Sequence, residues 1–583
     1  ELAEYTINNQ KDYILEELYK RKPDVLCFSC YIWNIDYVTD IAREYKKLCP
    51  SVPIWVGGPE VSYEVEAFLR ENPYIDGVMI GEGEDTFREL CGYYAHKRKL
   101  SDIAGIAFRK NSTGNSTSVN NIGGCKADEI VFTSPRPIKN MSEIPFCYDT
   151  LDDFSNRIIY YESSRGCPFS CSYCLSSVDK TLRFRDTEIV KRELKFFIDQ
   201  KVPQFKFVDR TFNCNHAHAM ELWRFIKAND NGVTNFHFEI SADLLNQEEL
   251  ELISDMRPGL IQLEIGVQST NEVTIKEIHR TMKLERLKEV VRLIQSGNNI
   301  HEHLDLIAGL PYEDYDSFGR SFDEIYELKP NQLGFLKVLK GSYMFEHAAE
   351  YGIVYHDKPP YEVMSTKWLS FDDVIKIKRV EDMLEVYYNS GQFEITMKLM
   401  ECIFDSAFEF FQELGDFYEA NGYFGMSHSR IRRCEILLEF LALYLHGCDS
   451  DAITSVGLSE NHGDRDNTDF DENTIDRDST DFDENAQIYS MIQESLIFDL
   501  YYRENCKSRP RWATDIGKFK HMTHAYCKNG KLSHVEPFHY IFPDKHTRKL
   551  DELPKYHKEP VWALFHYDMR DPLDHQALVE YIE

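Results

Sequence analysis

The stretch Phe236-His-Phe-Glu-Ile-Ser241 alternates apolar and polar side chains, and Ile261-Gln-Leu-Glu-Ile-Gly-Val-Gln268 and His301-Glu-His-Leu-Asp-Leu306 repeat the pattern. Successive side chains of a β-strand point to opposite faces, so each stretch predicts a strand with one apolar and one polar face. Parallel strands that are buried on both faces are apolar almost throughout. These strands therefore predict a sheet whose apolar face is covered by helices and whose polar face lines a ligand-binding lumen.

The surrounding region, residues 158–345, contains six predicted strands, each followed by a helical segment. The predicted strands begin near Tyr160, Gln204, Phe236, Leu260, His301 and Gln332. Alternating strands and helices are typical of a parallel α/β barrel. We predict a partial, TIM-like (β/α)6 barrel over residues 158–345.

Residues 1–133 also alternate short strands with helices, which predicts a Rossmann-like, doubly wound α/β domain. Its strands are predicted at residues 2–7, 24–29, 53–57 and 77–80. The chain starts at Glu1, and its first predicted strand is followed at once by a helix. We therefore expect the first strand of the domain to be absent from this sequence. Residues 134–157, which contain three prolines, are interpreted as a linker.

Residues 346–583 follow mainly helical patterns, as in 372–388, 393–418 and 429–446, and predict a C-terminal helical domain. Within it, a twelve-residue unit occurs twice, beginning at Asp464 and at Asp476. The unit is rich in acidic residues, and we interpret residues 448–487 as a disordered acidic insertion. Asp at alternate positions also resembles a calcium loop, but the glycine and terminal glutamate spacing of an EF-hand is absent.

The composition disfavours several classes of function. The chain has 583 residues, and 66 Lys and Arg against 98 Asp and Glu give a net charge of −32. This charge repels a phosphate backbone and no basic run offsets it, which disfavours nucleic-acid binding, although a tRNA-like substrate stays open. The longest apolar stretch, residues 436–445, is too short for a bilayer and contains Glu439, and no signal peptide opens the chain. We therefore expect a cytoplasmic protein without a membrane anchor.

Three cysteines stand close together in Ser164-Arg-Gly-Cys-Pro-Phe-Ser-Cys-Ser-Tyr-Cys174, directly after the first predicted barrel strand. The odd total of 15 cysteines, without a secretion signal, favours free thiols or metal ligands over disulfides. Cys167, Cys171 and Cys174 can hold three irons of a 4Fe–4S cluster and leave the fourth iron without a protein ligand. A zinc site is the alternative, but zinc requires a fourth ligand, and the nearest candidates, Cys147 and Cys214, lie outside the loop.

This cysteine loop resembles that of the radical S-adenosylmethionine (radical SAM) enzymes. The resemblance implies that SAM chelates the open iron, and that an electron from the cluster cleaves SAM to a 5′-deoxyadenosyl radical. It also implies a reducing electron donor such as flavodoxin or ferredoxin. The cofactor performs the radical chemistry, while the barrel positions it and excludes water.

The later motifs of the radical SAM family fall on the predicted lumen face. Glu239, Gln268 and Asp305 match positions that reach the ribose and methionine of SAM in that family. Asp209, in Phe207-Val-Asp-Arg-Thr-Phe212, stands where the family contacts the methionine amino group, although the usual Gly-Gly-Glu form is absent. The alternative for these residues is hydrogen bonding within the barrel without ligand contact.

Three segments of residues 1–133 follow successive predicted strands, at the sheet edge where open α/β folds bind cofactors. They are Ser29-Cys-Tyr-Ile-Trp-Asn34, Gly57-Gly-Pro-Glu-Val-Ser62 and Gly81-Glu-Gly-Glu-Asp85. The pattern is similar to the cobalamin-binding domain fused to one branch of radical SAM enzymes, which implies that these segments contact cobalamin. The implied contact residues are Ser29, Tyr31, Trp33, Gly57, Gly58, Glu60, Gly81, Glu82 and Gly83.

The Asp-x-His-x-x-Gly loop that supplies a histidine to cobalt in other cobalamin proteins does not occur in this sequence. His96, late on a predicted helix, is the only histidine in residues 1–100. That loop normally follows the first strand of the domain, which is the segment expected to be absent. We predict cobalamin bound without a histidine ligand, with Tyr31 or Trp33 near its lower face.

The resemblance covers residues 1–345 and implies an enzyme that removes hydrogen from an unactivated carbon and methylates it by way of methylcobalamin. Two alternatives stay open: a radical rearrangement, cyclisation or oxidation without methyl transfer, and a non-catalytic cobalamin- or cluster-binding sensor. The substrate is expected to be a small molecule or a peptide. Residues 346–583 resemble the C-terminal domain found on some cobalamin radical SAM proteins, which implies that they close the open barrel side and select the substrate.

Overall fold

The computed structural model of the chain contains a five-stranded N-terminal sheet, a six-stranded parallel sheet and a mainly helical C-terminal region. The described residues are 1–110, 129–148, 150–154, 157–178, 180–328, 332–446, 484–507, 509–513, 516–526, 532–543, 550, 552–571 and 575–582. Among them, no helix is long and apolar enough to cross a membrane.

The N-terminal sheet has the strand order β1-β2-β3-β4-β5, with the first three strands parallel and the last two antiparallel. Its strands are β1 Leu26–Ser29, β2 Ile54–Gly57, β3 Gly77–Met79, β4 Ile106–Arg109 and β5 Ile130–Phe132. Its helices are α1 Lys11–Arg21, α2 Ile35–Leu48, α3 Val65–Glu71 and α4 Glu84–Tyr94. Ile54 and Val56 pack in one apolar cluster and Trp55 in another, so the sheet is covered on both faces as predicted.

Residues 2–7 do not form the predicted strand. Asn9 Oδ1 accepts a hydrogen bond from the Thr6 N–H at 2.8 Å, and the chain turns there before α1 begins. The prediction for these residues is wrong because the local Asn turn outweighs the short alternation that precedes it.

The second sheet is parallel throughout, with the strand order β13-β12-β11-β10-β9-β6. Its strands are β6 Ile159–Tyr161, β9 Gln204–Phe207, β10 Asn235–Ile240, β11 Ile261–Gln268, β12 His301–Ala308 and β13 Gln332–Phe335. A small hairpin of β7 Ser164–Arg165 and β8 Arg183–Phe184 follows β6. The helices are α5 Thr187–Asp199, α6 His216–Ala228, α7 Gln247–Ser254, α8 Glu272–Glu277, α9 Leu284–Gly297 and α10 Tyr315–Tyr326.

These six strands confirm the predicted partial α/β barrel. The register places Glu239 opposite Glu264, and Gly266 opposite Asp305, so the polar side chains of neighbouring strands form rows on one face. Phe236 and Phe238 lie on the other face and are buried against the helices. The alternation in the sequence therefore reports which face each residue occupies.

The C-terminal region is mainly helical, as predicted, but it also contains short strands that the sequence analysis missed. Its helices are α11 Tyr343–Glu346, α12 Phe371–Met383, α13 Glu394–Ile403, α14 Ala407–Ala420, α15 Arg430–His446, α16 Glu484–Arg503 and α17 Lys520–Tyr526. Its strands are β14 Val354–Tyr355, β15 Val363–Ser365, β16 Ser533–Tyr540, β17 Tyr556–His566 and β18 Leu578–Ile582. Strands β16, β17 and β18 form an antiparallel sheet.

Two boundaries in this region differ from the predictions. The segment 393–418 is two helices, because the Ser406 side chain accepts from the Glu409 N–H at 3.0 Å and starts α14 afresh. Residues 447–483, which include both acidic repeat units and their candidate calcium loop, lie outside the described residues. Residues 484–487, predicted to be disordered, are the first residues of α16.

The barrel and the C-terminal region share one apolar core. The Phe322 ring of α10 lies 5.6 Å from the Phe408 ring of α14, measured between centroids, and both side chains are buried. The N-terminal sheet has two separate apolar clusters of its own. The two cofactor regions predicted from sequence therefore belong to separately packed parts of the molecule.

Candidate cofactor site

A cavity of about 200 Å³ opens on the polar face of the barrel sheet. It is lined by the three loop cysteines and by three of the four residues predicted to contact SAM. These lining residues are Cys167, Cys171, Cys174, Glu239, Gln268 and Asp305. The structure thus brings together residues that lie up to 138 positions apart in the sequence, from 167 to 305.

The cysteine loop is fixed by backbone contacts. The Ser172 N–H donates to Ile278 O at 2.9 Å, and Ser172 O accepts from the Met344 N–H at 2.9 Å. The Ser177 hydroxyl donates to the carbonyls of Cys171 and Cys174, at 2.9 and 2.6 Å. Cys167 and Cys171 are buried, and Cys174 is half-buried. The loop therefore presents its thiols to the cavity from a fixed backbone.

Burial raises the pKa of the Cys167 thiol, and the Thr211 hydroxyl lies 3.8 Å from its sulfur. A metal must therefore displace a proton to bind this sulfur. Among the described residues, no group of three His, Cys, Asp or Glu side chains is placed to hold a single metal ion. A 4Fe–4S cluster does not require such convergence, because each thiolate binds a different iron.

Gln268 and Asp305 test whether SAM fits the cavity. Gln268 Oε1 and Asp305 Oδ1 are buried and have no hydrogen-bond partner among the described residues. Leaving a buried acceptor unpaired costs about 1–3 kcal/mol, so both atoms favour a donor from a bound molecule. The ribose hydroxyls of SAM are donors of this kind. The residues present therefore fit a SAM molecule beside a cluster held by the three thiols.

Glu239 and Asp305 have unusual electrostatics for carboxyl groups. Burial, with the neighbouring charge of Glu264, raises the pKa of Asp305 to about 7. Burial also raises the pKa of Glu239 to about 7, although Arg210 opposes the shift. Near neutral pH, each group changes between a hydrogen-bond donor and an acceptor.

Asp209 lies outside the cavity lining and is fully buried. Its carboxylate accepts from the Ser163 N–H at 2.9 Å, the Ser163 hydroxyl at 2.7 Å and the Ser164 hydroxyl at 2.5 Å. Ser163 and Ser164 begin the segment that leads to Cys167. In the ligand-free protein Asp209 thus fixes the start of the cysteine loop, and its predicted contact with SAM stays a prediction.

Arg280 lines the cavity and was missed by the sequence analysis. Its guanidinium donates to Gly266 O and, at 3.1 Å, to the Tyr173 hydroxyl, and it lies 3.9 Å from the Cys171 sulfur. A cation at this position favours the more negative, reduced state of a cluster. Arg280 follows α8, outside both the strand alternation and the cysteine spacing, so no sequence signal distinguishes it from a surface arginine.

The carboxyl ends of β1, β2 and β3 carry the predicted cobalamin contacts. Gly58 has φ +115°, and a Cβ there would lie 2.4 Å from Cys30 O, so the backbone requires glycine. Tyr31 and Trp33 stack with ring centroids 4.5 Å apart, and Trp33 stays 62% exposed. A Cβ at Gly81 or Gly83 would meet no atom within 4 Å, so the space above this loop is open.

This edge fits a large planar cofactor such as cobalamin, because it combines an open loop with an exposed aromatic face. Ser29 and Gly57 end their strands at the same edge. Glu60 and Glu82, however, make contacts with the barrel and the C-terminal region. The Tyr361 hydroxyl donates to Glu60, and Arg183 donates to Glu82 at 2.6 Å. In the ligand-free protein these two acids thus join the N-terminal domain to the rest of the chain, and their predicted contact with cobalamin stays a prediction.

Comparisons with known proteins agree with this geometry. A family model described as a B12 binding domain matches residues 1–91, and one described as the radical SAM superfamily matches residues 161–325. A third, described as a protein of unknown function (DUF4080), matches residues 349–576. The chain therefore combines a B12-binding domain, a radical SAM domain and a DUF4080 region. These domains imply cobalamin, a 4Fe–4S cluster and SAM as cofactors.

Two curated relatives show the range of related proteins. The cobalamin-dependent radical SAM methyltransferase TokK of Streptomyces tokunonensis is 27% identical over 329 residues, which are 52% of this chain and 45% of TokK. The anaerobic magnesium-protoporphyrin IX monomethyl ester cyclase of Rubrivivax gelatinosus is 22% identical over 335 residues, 55% of this chain and 57% of the cyclase. The chain spans about half the length of the curated relatives it matches.

A solved structure shares the overall fold. It is that of the cobalamin-dependent SAM radical enzyme OxsB with aqua-cobalamin bound, at a TM-score of 0.51 and 14% identity. The match covers 85% of this chain and 75% of OxsB. At this identity the likeness concerns the fold alone.

Proposed function

We propose that the protein is a radical SAM enzyme that reductively cleaves SAM and methylates an unactivated carbon with cobalamin as the methyl donor. The observation that carries the proposal is one cavity in which three thiols face Glu239, Gln268 and Asp305. Thiols alone are compatible with a structural metal site. The unpaired acceptors of Gln268 and Asp305 beside them point to an organic ligand at the metal.

The contact between the two cofactor regions supports methyl transfer. Glu82, in the loop after β3, reaches Arg183 and Arg165 of the hairpin that encloses the cysteine loop, at 2.6 and 3.3 Å. Glu60, after β2, accepts a hydrogen bond from the hydroxyl of Tyr361, which belongs to the C-terminal region. A radical centre and a methyl donor must act on the same carbon, so their sites must lie close together.

When bound, the cluster supplies the electron that cleaves SAM, and cobalamin supplies the methyl group. In this proposal the thiols of the loop hold the cluster, while Gln268 and Asp305 accept hydrogen bonds from SAM hydroxyls. Arg280 holds Tyr173 and lies beside the Cys171 sulfur, which keeps the loop in place. The cavity walls keep water away from the reacting carbon.

The relatives support the same proposal. TokK is named as a cobalamin-dependent radical SAM methyltransferase, and it matches about half of this chain. We also propose a small-molecule or peptide substrate and a reducing donor such as flavodoxin or ferredoxin. The C-terminal region shares its core with the barrel, which supports a role in closing the barrel and selecting the substrate.

The test uses the full-length protein, purified without oxygen and reconstituted with iron, sulfide and hydroxocobalamin. Incubation with SAM and dithionite is expected to give 5′-deoxyadenosine and S-adenosylhomocysteine, both measured by mass spectrometry. Omitting cobalamin removes S-adenosylhomocysteine and leaves 5′-deoxyadenosine. If neither product forms, the protein is not a radical SAM enzyme, and the sensor alternative gains support.

A radical reaction without methyl transfer is the second candidate, because a cyclase is among the relatives. In that case 5′-deoxyadenosine forms without S-adenosylhomocysteine, and cobalamin does not change its yield. The same incubation therefore separates the two candidates.

A further inference from the structure

Two acidic residues of the cobalamin-binding edge form a salt-bridge cluster with two arginines beside the cysteine loop. Glu84 accepts from Arg165 at 2.8 Å, and Glu82 lies 3.3 Å from the same guanidinium. Glu82 also accepts from Arg183 at 2.6 Å. We call Glu82, Glu84, Arg165 and Arg183 the edge–loop cluster.

The edge–loop cluster is shielded from water, which strengthens its charges. The side chain of Arg183 is 12% exposed and that of Glu82 is 20% exposed. Burial alone raises the pKa of Glu82, but the hydrogen bonds from Arg183 and the Lys139 N–H outweigh it and hold that pKa below its usual value. Partly buried pairs with several hydrogen bonds fix their partners more firmly than surface pairs do.

Arg165 is connected to Cys167, which is predicted to bind the 4Fe–4S cluster, by a short, stiff segment. Only Gly166 separates it from Cys167. Gly166 has φ +92°, and a Cβ there would lie 2.7 Å from Thr181 O, so the backbone is packed closely at this point. Arg165 also pairs with Arg183 across the hairpin of β7 and β8. A displacement of the Arg165 backbone therefore moves Cys167.

On the other side, Glu82 stands between Gly81 and Gly83, in the loop with open space above it. A cofactor bound in this open space would contact the loop that carries both acids. The neighbouring pair of Asp85 and Lys139, at 2.7 Å, belongs to the same region and does not include a residue of the cysteine loop. It provides a matched control.

We propose that Arg165 is a positioning residue that couples cobalamin binding at the edge of the N-terminal sheet to SAM binding at the cysteine loop. The inference rests on the proposed function, since it requires both cofactors. Each cofactor restricts one end of the edge–loop cluster, so the second binds to a site that is already ordered. Linkage makes the coupling reciprocal: SAM tightens cobalamin binding by the factor by which cobalamin tightens SAM binding.

The experiment measures hydroxocobalamin affinity by its absorbance change, in cluster-loaded full-length protein without reductant, with and without saturating SAM. In the wild type, SAM is expected to lower the Kd by about fivefold or more, the lower end of typical coupling between sites. Arg165→Gln removes this dependence on SAM. Arg165→Lys, which keeps the charge, retains part of it, and Asp85→Asn retains all of it.

Arg165→Gln could fail to bind the 4Fe–4S cluster, and Glu84→Gln is therefore the second variant. The Glu84→Gln change lies at the edge of the N-terminal sheet and leaves the cysteine loop intact. It is expected to lose most of the coupling. If the Kd of cobalamin for the wild type is the same with and without SAM, the inference is overturned and the proposed function is not affected. Equal loss in Asp85→Asn, or full coupling in Arg165→Gln and Glu84→Gln, overturns it as well. A wild type that binds no cobalamin overturns both.

Discussion

The predicted cofactor residues of the barrel sheet and those of the N-terminal sheet differ in what their side chains contact. In the barrel, Glu239, Gln268 and Asp305 all line one cavity with the cysteines. In the N-terminal domain, Glu60 and Glu82 are taken up by contacts with the rest of the chain. The barrel residues lie on strands, whereas these acids lie in loops after strands. A strand fixes the direction of each side chain by its pleat, and a loop does not.

Asp209 follows the same rule. It lies two residues beyond β9, and its carboxylate turns inward to Ser163 and Ser164. The difference between the two regions is therefore a difference between strand and loop positions.

The largest effect is expected from Cys171→Ala. This change removes one of three thiols from the loop, and the remaining two cannot hold three corners of a cluster. We expect loss of the visible cluster absorbance and of all 5′-deoxyadenosine formation. Cys91→Ala, an exposed cysteine of α4, is the control and should keep both. Full turnover in Cys171→Ala would show that the site is assigned to the wrong residues.

Asp305→Ala tests a strand residue of the cavity. It removes a buried acceptor that has no hydrogen-bond partner in the part of the chain that the structure describes. We expect the Kd of SAM to rise about tenfold, equivalent to a lost hydrogen bond of about 1.4 kcal/mol. Gln332→Ala is the control. Gln332 lies on β13, opposite Asp305 of β12, and is exposed. Unchanged SAM binding in Asp305→Ala would argue that the lumen residues line the barrel without touching SAM.

The raised pKa values of Glu239 and Asp305 predict how stability depends on pH. Both values are raised to about 7 by burial, so the protonated forms stabilise the ligand-free fold. This stabilisation is complete below about pH 4 and is lost as the pH rises through 7. Between pH 6 and pH 8 we expect the free energy of unfolding to fall by about 2–3 kcal/mol more than in Glu239→Gln/Asp305→Asn, because each of the two groups contributes about 1.3 kcal/mol over this range. Urea unfolding of both proteins measures the difference, and parallel pH profiles would contradict it.

The smallest effect is expected from Trp33→Ala at the N-terminal edge. Trp33 is exposed and stacks only on Tyr31 among the described aromatic side chains, so its loss removes one apolar face. We expect cobalamin affinity to fall by about twofold to fivefold, as aromatic contacts contribute about 0.5–1 kcal/mol. Tyr312→Ala is the control, because Tyr312 is also an exposed aromatic residue whose ring lies near a tryptophan, with 4.4 Å between its centroid and that of Trp368. A complete loss of cobalamin binding would mean that a single side chain dominates this edge.

Much of the barrel is predictable because its signals are local. Six strands, their lumen face and the cysteine loop follow from alternation and spacing over fewer than a dozen residues each. The prediction of a strand at residues 2–7 is wrong because the turn at Asn9 overrides a weak alternation of apolar and polar residues. Arg280 fails for a different reason, since its partners are a carbonyl, a phenol and a thiol from two other segments.

The missed C-terminal sheet shows the limit of local patterns most clearly. Phe498 of α16 packs against Phe538 of β16 and Phe565 of β17, with ring centroids 5.6 and 5.2 Å away. These contacts join residues that are 40 or more positions apart. Strand preference in such a sheet depends on the surface it packs against, which no short window contains.

The continuous apolar core of the barrel and the C-terminal region has a practical consequence for dissecting the molecule. Phe322 on one side and Phe408 on the other are buried by each other, so cutting the chain between them exposes both. Neither half is then a self-sufficient folding unit, and both are expected to aggregate when produced alone. Calorimetry of the intact chain should show barrel and C-terminal region melting in a single transition. If C-terminal regions are exchanged between proteins of this domain combination to change the substrate, the apolar residues buried between the barrel and the C-terminal region must therefore be matched as well.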